Sequence, residues 1–307
     1  MSILSFPPTL TPYPAPRPIL ITGANGTLGR AFQRICHIRG LEAVALTRQE
    51  LDITDAASVA RALDAHQPWA VVNTAGYVRV DEAENDAARC YAQNTTGPAI
   101  LALACAQQQL PFLTYSSDLV FDGRKAAPYL EPDAPQPLNV YGNSKRLAEQ
   151  RVLEQYSQAL VVRTSAFFGP WDEYNFVHFA LQAAREGRPF EAAEDAVIAP
   201  TYVPDLVNVS LDLLIDGEQG IWHLANDTAC TWSELAQQAI QLAGLDPAVV
   251  RPRPMASFGW PAPRPHYSVL QSVHGPLLPC LESGLHRYLA DVAKVAAEPS
   301  ELVAVAS

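Results

Sequence analysis

The sequence contains no CxxC pair, no HExxH motif, no apolar run near membrane-spanning length and no surplus of basic charge. Its five cysteines (Cys36, Cys90, Cys105, Cys230, Cys280) are scattered and odd in number. That pattern argues against a disulfide framework or zinc site and for buried free thiols. The seven histidines form no cluster, so no metal site is expected. The N-terminus lacks a basic segment followed by an apolar core, which argues against a secretory signal. With no spanning run either, the expected compartment is the cytosol. A formal net charge of -11 repels phosphate backbones and anionic bilayers, so neither nucleic acid nor membrane is an expected partner. An anionic cofactor is still compatible with that charge, because helix N-termini and a few local arginines can bind one.

What is present is a 307-residue chain, 49% hydrophobic, long enough for a full α/β core and a smaller lobe. Residues 1–17 form a proline-rich leader, Pro7, Pro8, Pro12, Pro14 and Pro16 running on to Pro18, that favours extended chain. The bland reading is a disordered leader. The reading preferred is a linker, which would make this chain one part of a longer fusion protein. From residue 18 onward short apolar runs alternate with amphipathic helical patterns, the rhythm of a doubly wound parallel sheet of Rossmann type. Strands are expected at Ile19–Thr22, Val44–Thr47, Trp69–Asn73, Phe112–Tyr115 and Leu160–Arg163. Helices are expected from the glycine turn to Arg39, from Asp55 to about His66, from Asp86 to Gln109 and from Tyr141 to Tyr156.

After Arg163 the rhythm loosens. Helices are expected at Asn175–Glu186, Asp205–Ile215 and Thr231–Leu242, with a strand at Ile221–Leu224. This divides the chain into a dinucleotide-binding domain, 18–165, and a smaller substrate-binding lobe, 166–290, some of whose segments return to the first domain. Residues 291–307 read as a flexible tail.

Gly23-Ala24-Asn25-Gly26-Thr27-Leu28-Gly29 follows the first strand and opens a helix. Glycines there allow a tight turn and close approach of backbone N–H groups to a diphosphate, whose charge the helix N-terminus favours. A bare glycine triplet is a weak signal; its place after the first strand makes it a cofactor site. The second strand ends at Thr47-Arg48 with no acidic residue at its tip, which favours NADPH, NADH being possible. The bland reading of Arg48 is a solvated arginine. Asp52-Ile53 is placed to border the adenine, and Ala75-Gly76-Tyr77 sits where strand ends face the ligand crevice.

Ser116-Ser117-Asp118 and, further on, Tyr141-Gly142-Asn143-Ser144-Lys145 carry the chemistry. Tyr141 and Lys145, four apart, share a helix face. The ammonium is expected to lower the tyrosine pKa, so that the phenol can protonate the alkoxide formed when hydride reaches a carbonyl carbon. Ser117 would polarise that carbonyl. YxxxK alone is weak, but a serine on the right strand behind the same glycine turn makes chance a poor account. Arg251, Arg253 and Arg264 fall in a stretch free of acids and suit a diphosphate or, equally, a plain surface. Trp171, Trp222, Trp232 and Trp260 read as packing residues. Asn175 opens a helix, where capping is the default role.

On GANGTLG, LDITD, VVNTAGYVRVDEAE, YSSDLVFDG, PLNVYGNSK, VVRTSAFFG and RPHYSVL the chain resembles the dTDP-4-dehydrorhamnose reductase family of the extended short-chain dehydrogenases, over about residues 18 to 290. The resemblance implies reduction of the 4-keto group of a dTDP-sugar with NADPH or NADH, and a homodimer. It implies Ser117, Tyr141 and Lys145 as the catalytic set. Cofactor contacts are expected at Gly23, Asn25, Gly26, Thr27, Leu28, Gly29, Arg48, Asp52, Ile53, Ala75, Gly76, Tyr77, Tyr141 and Lys145. The resemblance implies that Asp118 touches the sugar; Ser117, Ala166, Asn175 and Arg264 are further expected substrate contacts. The family usually has threonine at Ser117 and tryptophan at Ala166; loss of that ring removes a stacking surface, which leaves the sugar open. Some members bind Mg2+ through a glutamate after the glycine turn, where this chain has Arg30-Ala31. Two alternatives stand beside the reductase: an epimerase or dehydratase on the same scaffold, and a non-catalytic NADP-binding regulatory subunit. A dehydratase would want a second acid after Asp118, where Leu119 stands.

Overall fold

The computed structural model describes residues 17–125, 127–172 and 174–297. The expected leader lies outside them except for Arg17, which donates to the carbonyls of Gln67 (2.8 Å) and Pro68 (2.6 Å).

The first half follows strict strand–helix alternation: β1 (Ile19–Thr22), α1 (Thr27–Ile38), β2 (Ala43–Leu46), α2 (Ala56–His66) and β3 (Ala70–Asn73). A short α3 (Val80–Ala83), which lacks any sequence signal of its own, precedes α4 (Ala87–Tyr91), a π-helical turn (Ala92–Thr96) and α5 (Gly97–Gln108). The single helix expected over Asp86–Gln109 is therefore broken by one wide turn. β4 (Phe112–Ser117), α6 (Val140–Gln155) and β5 (Leu160–Thr164) complete the half. Then come β6 (Phe167–Phe168), α7 (Phe176–Arg185), β7 (Phe190–Ala193), β8 (Val197–Ile198), β9 (Thr201–Tyr202), α8 (Val203–Ile215) and β10 (Gly220–His223). β11 (Cys230–Thr231), α9 (Trp232–Leu242), β12 (Val250–Arg253) and α10 (Leu281–Ala297) close the described chain.

Six strands pair in the order β10-β5-β4-β3-β1-β2, every pair parallel. Side chains alternate between the faces, and both faces are apolar, as a parallel sheet covered on both sides requires. Ile19, Ile21, Val72, Leu113 and Val162 join α1 and α8 on one side. Leu20, Val71, Phe112 and Val161 join α2, α5 and α6 on the other. The order reverses between β1 and β3, so a crevice opens at their carboxyl ends. A third apolar cluster, from Phe168, Val177, Ile198, Leu235 and Tyr288, holds the second lobe together.

β10, over the strand read near Ile221–Leu224, pairs with β5 in the central sheet, and α8 packs there as well. One expectation changes. The tail expected to be flexible from Asp291 is helical as far as Ala297, and Tyr202 Oη donates to Asp291 Oδ2 at 2.6 Å. Among the described residues no helix is long and apolar enough to cross a membrane.

Candidate active site

The glycine turn is built by close approach. Gly23 has φ +72°, and a Cβ there would lie 2.8 Å from the Ala75 backbone nitrogen. A Cβ on Gly29 would lie 2.2 Å from the Gly23 carbonyl oxygen. Glycine at both positions lets α1 start against the β3 loop, with Gly26 as its N-cap and Asn25 and Gly26 exposed at the crevice. This bare N-terminus fits a dinucleotide diphosphate. The Thr27 hydroxyl donates to Asp172 Oδ2 at 2.8 Å, so a second-lobe segment reaches over the turn. Leu28, by contrast, is buried in the core.

The β3 loop is fixed by a polar ladder across the strand ends. Thr22 Oγ1 donates to Asn73 Oδ1 (2.7 Å), and Asn73 Nδ2 donates to Thr114 Oγ1 (3.0 Å). The π-helical turn then supplies Asn94, fully buried, which accepts from Tyr77 N (2.7 Å) and donates to Tyr77 O (3.0 Å) and Ser144 Oγ (3.0 Å). Asn94 thus ties the loop of Gly76 and Tyr77 to the helix carrying Tyr141 and Lys145. Asn94 has no local motif to mark it; the signal is the wide helical turn, a feature frequent at functional sites.

Ser117 ends β4, and a 3-10 turn (Asp118–Val120) follows. α6 begins hard against that turn: a Cβ on Gly142 would sit 2.1 Å from the Leu119 carbonyl oxygen. Asn139 caps α6 by accepting from Gly142 N at 2.7 Å. This approach brings Tyr141 beside the Ser117 hydroxyl. Lys145 Nζ lies 5.9 Å from the Tyr141 ring centre and donates to the Tyr115 carbonyl at 3.2 Å. Below them Arg163 and Glu149 form a buried bidentate pair at 2.8 and 2.7 Å, and Ser116 donates to the same carboxylate.

The electrostatics differ from the expectation for Tyr141. Burial pushes its phenol up, the Asp118 charge adds to this, and the Ser117 hydroxyl opposes it. Burial lowers the pKa of the neighbouring Lys145 ammonium as well, to about 8. The phenol is therefore held protonated, the form a proton donor needs. Burial also raises Asp118, although both its oxygens accept hydroxyls, from Ser117 (3.1 Å) and Ser268 (2.6 Å).

Ser117, Asp118 and Tyr141 line one wall of a cleft of about 450 Å3. The other walls come from the second lobe: Ala166, Phe167, Phe176, Ala192, Ala193, Ala196, Trp232, Met255, Phe258, Trp260 and Arg264. Such a lining, mostly apolar with a few convergent polar groups, suits a small-molecule ligand. Ala166 lines the cleft in a left-handed backbone conformation, φ +36°. Ser165 Oγ, fully buried, has no hydrogen-bond partner among the described residues and borders the same space. Arg264 reaches the cleft but is held by Asp81 at 2.8 and 2.6 Å and packs on Trp260.

Asn175 does not line the cleft. Its carboxamide caps α7, accepting from His178 N at 2.8 Å and donating to the carbonyls of Gly169 and Asp172, so every polar atom is used within the fold. Trp232 and Trp260, read from sequence as packing residues, do line it, whereas Trp222 stacks on His274 and Trp171 packs near Arg34. Arg253 pairs with Glu191, and Arg251 folds back on the Ala248 carbonyl.

Comparison with known proteins agrees with this geometry. Residues 17–278 match the family model described as the RmlD substrate binding domain. The chain is 38% identical over 267 residues to a dTDP-4-dehydrorhamnose reductase of Streptomyces griseus, covering 85% of this chain and 87% of that protein. It is 37% identical over 253 residues to a probable dTDP-4,6-dihydroxy-2-methyloxan-3-one 4-ketoreductase of Streptomyces antibioticus, covering 82% and 85%. Among solved structures, a Bacillus anthracis dTDP-4-dehydrorhamnose reductase in complex with NADP superposes with a TM-score of 0.85 at 30% identity, covering 90% of this chain and 99% of that one. The fold, the cleft and these similarities together place the chain in the RmlD family, the dTDP-4-dehydrorhamnose reductase-like oxidoreductases of the extended short-chain dehydrogenase scaffold.

Proposed function

We propose that this protein reduces the 4-keto group of a dTDP-activated deoxysugar with NADPH. The observation that carries this is the placement of Ser117, Tyr141 and Lys145 on one cleft wall, next to the glycine turn and facing a second-lobe wall. NADPH, held by the glycine turn, Arg48, the Asp52-Ile53 strip and the Ala75–Tyr77 loop, supplies the hydride when bound. Ser117 donates a hydrogen bond to the carbonyl oxygen and stabilises the charge that develops there. Tyr141, protonated because its phenol is buried, delivers the proton to the same oxygen. Lys145, anchored on the Tyr115 carbonyl, places a positive charge beside the phenol and steadies the phenolate left behind.

The sugar is chosen by the second-lobe wall. Two relatives of nearly equal similarity bear names for different 4-keto sugars, and Ala166 lines the cleft wall at the position where the family usually carries a tryptophan. The assay is NADPH oxidation on adding dTDP-4-keto-6-deoxyglucose and related 4-keto sugar nucleotides. Turnover by the native chain, lost on the order of 10²-fold or more in Tyr141→Phe with NADPH binding kept, is the expected result. Binding of NADPH with no turnover of any 4-keto sugar nucleotide would favour a regulatory subunit instead.

A further inference from the structure

One wall of the cleft is a continuous stack that begins in the second lobe and ends on the first. Arg253 lies 5.4 Å from the centre of the Phe258 ring. Phe258 and Trp260 stack at 4.7 Å with 20° between their planes, and Arg264 lies 4.5 Å from the centre of the Trp260 ring. A carboxylate holds each end. Glu191 on β7 pairs with Arg253 at 2.6 Å, within the second lobe. Asp81 on α3, in the first lobe, takes the Arg264 guanidinium in a fork at 2.8 and 2.6 Å. Glu191, Phe258, Trp260 and Arg264 all line the cleft, so the lobes are joined along its rim by one charge-assisted, two-pronged contact.

The place where this wall lands is tied to the catalytic helix. Val80, the first residue of α3, lines the cleft itself. Asp81 accepts from Ala262 N at 3.2 Å as well as from Arg264, and the guanidinium holds its carboxyl below the usual range. One residue past α3, Glu84 accepts from Val140 N at 2.8 Å, where α6 begins. Asn139 completes the circuit: it caps α6 through Gly142 N and donates to the Pro263 carbonyl at 2.8 Å. Arg264 Nη1 also donates to the Ala262 carbonyl at 2.8 Å, so most of its donors are used before any ligand arrives. The Arg264 and Asp81 side chains are 20% and 36% exposed, neither core nor open surface, so water can reach the fork and it can part and re-form.

We propose that Asp81 and Arg264 form the latch that closes the sugar-nucleotide cleft, docking the wall of Phe258 and Trp260 on α3 beside the helix that carries Tyr141. Both are positioning residues. Arg264 acts on the ligand through Asp81 and is not its diphosphate contact. The ligand's identity rests on the reductase reading above; the latch adds the residues that shut the site around it.

The test measures KM and kcat for NADPH-dependent reduction of dTDP-4-keto-6-deoxyglucose, with affinities for dTDP-glucose and NADPH from titration. The proteins are the native chain, Asp81→Asn, Arg264→Gln and the double charge reversal Asp81→Arg with Arg264→Asp. Removing either partner lowers the closed fraction, and apparent affinity falls with it. Both single variants should therefore raise KM and the dTDP-glucose Kd by a similar factor, about threefold to tenfold. Saturating ligand still drives closure, so kcat and NADPH affinity should hold, and the double reversal should recover most of the loss. Were Arg264 a direct diphosphate contact, Asp81→Asn would free it and tighten binding. That result, or a double variant no better than the single ones, overturns the latch. So does NADPH affinity falling in step with that of dTDP-glucose, which would make the pair a support of the whole fold. A native chain that binds dTDP-glucose but reduces no 4-keto sugar nucleotide overturns the reductase reading, and the titrations then decide the latch by the same criteria. A native chain that binds no dTDP-sugar overturns both.

Discussion

Replacing Gly142 by alanine separates two physical accounts of the same position. Gly142 lies in the first turn of α6, where helix propensity alone makes Gly→Ala stabilising by up to about 1 kcal/mol. The structure predicts the opposite sign. An alanine Cβ would meet the Leu119 carbonyl oxygen at 2.1 Å and Pro137 Cβ at 3.1 Å, against 3.4 Å or more for ordinary contact. The carbonyl is backbone, fixed in the turn that follows Ser117, so α6 itself must back away by about 1.3 Å. Overpacking of this kind costs about 1–3 kcal/mol. The same displacement pulls Tyr141 from Ser117, and a misplacement near 1 Å costs on the order of 10²-fold in rate. Chemical denaturation and the kcat for NADPH-dependent reduction, measured on the native and Gly142→Ala proteins, read the two effects separately. A lowered denaturation midpoint with a falling kcat is expected. A variant as stable as the native chain, or more so, with its kcat intact would refute the claim that this contact sets the catalytic geometry.

Two further predictions rest on buried charge. Glu149→Gln strips Arg163 of its carboxylate while that guanidinium stays 1% exposed. It should destabilise the fold by about 3–5 kcal/mol in urea, whereas joint replacement by apolar residues of similar volume should cost much less. Lys145, lowered to about 8 by burial, binds fewer protons folded than unfolded between that value and its ordinary 10.5. Its contribution to stability therefore rises with pH across that window. Over the same window kcat/KM for NADPH should fall as the ammonium is lost, and a profile flat to pH 9.5 would contradict the assigned role. Lys145→Met should remove that component of the stability slope.

The strands of the first half were legible to within one or two residues, because a sheet covered on both faces writes itself as short apolar runs. The convergence of Ser117, Tyr141 and Lys145 was legible because two of them sit one helical turn apart and the third ends a strand. What was not legible depends on distant contacts. The π-helical turn has no local mark; it exists because Asn94 must reach Tyr77 and Ser144. The direction of the Tyr141 shift follows from burial by residues far along the chain, and near-neighbour reasoning from Lys145 alone gave the wrong sign. The part of the second-lobe wall formed by Met255, Phe258 and Trp260 lies in a proline-rich stretch with no periodicity to read. Asn175 shows the converse: its place before a helix marks it as a cap, and its carboxamide accepts from His178 N in that role.

The path of the chain between its two lobes has a consequence for inheritance. After Thr164 it enters the substrate lobe through β6, α7 and β7, and then returns to lay α8 and β10 against the first five strands before leaving again. A recombination breakpoint at residue 165 would strip the sheet of its outermost strand and uncover Leu206, Leu211 and Trp222. Neither fragment would carry an intact interior. New sugar preferences on this scaffold should thus arise by point changes and loop exchanges around the cleft, with the two lobes travelling as one gene segment.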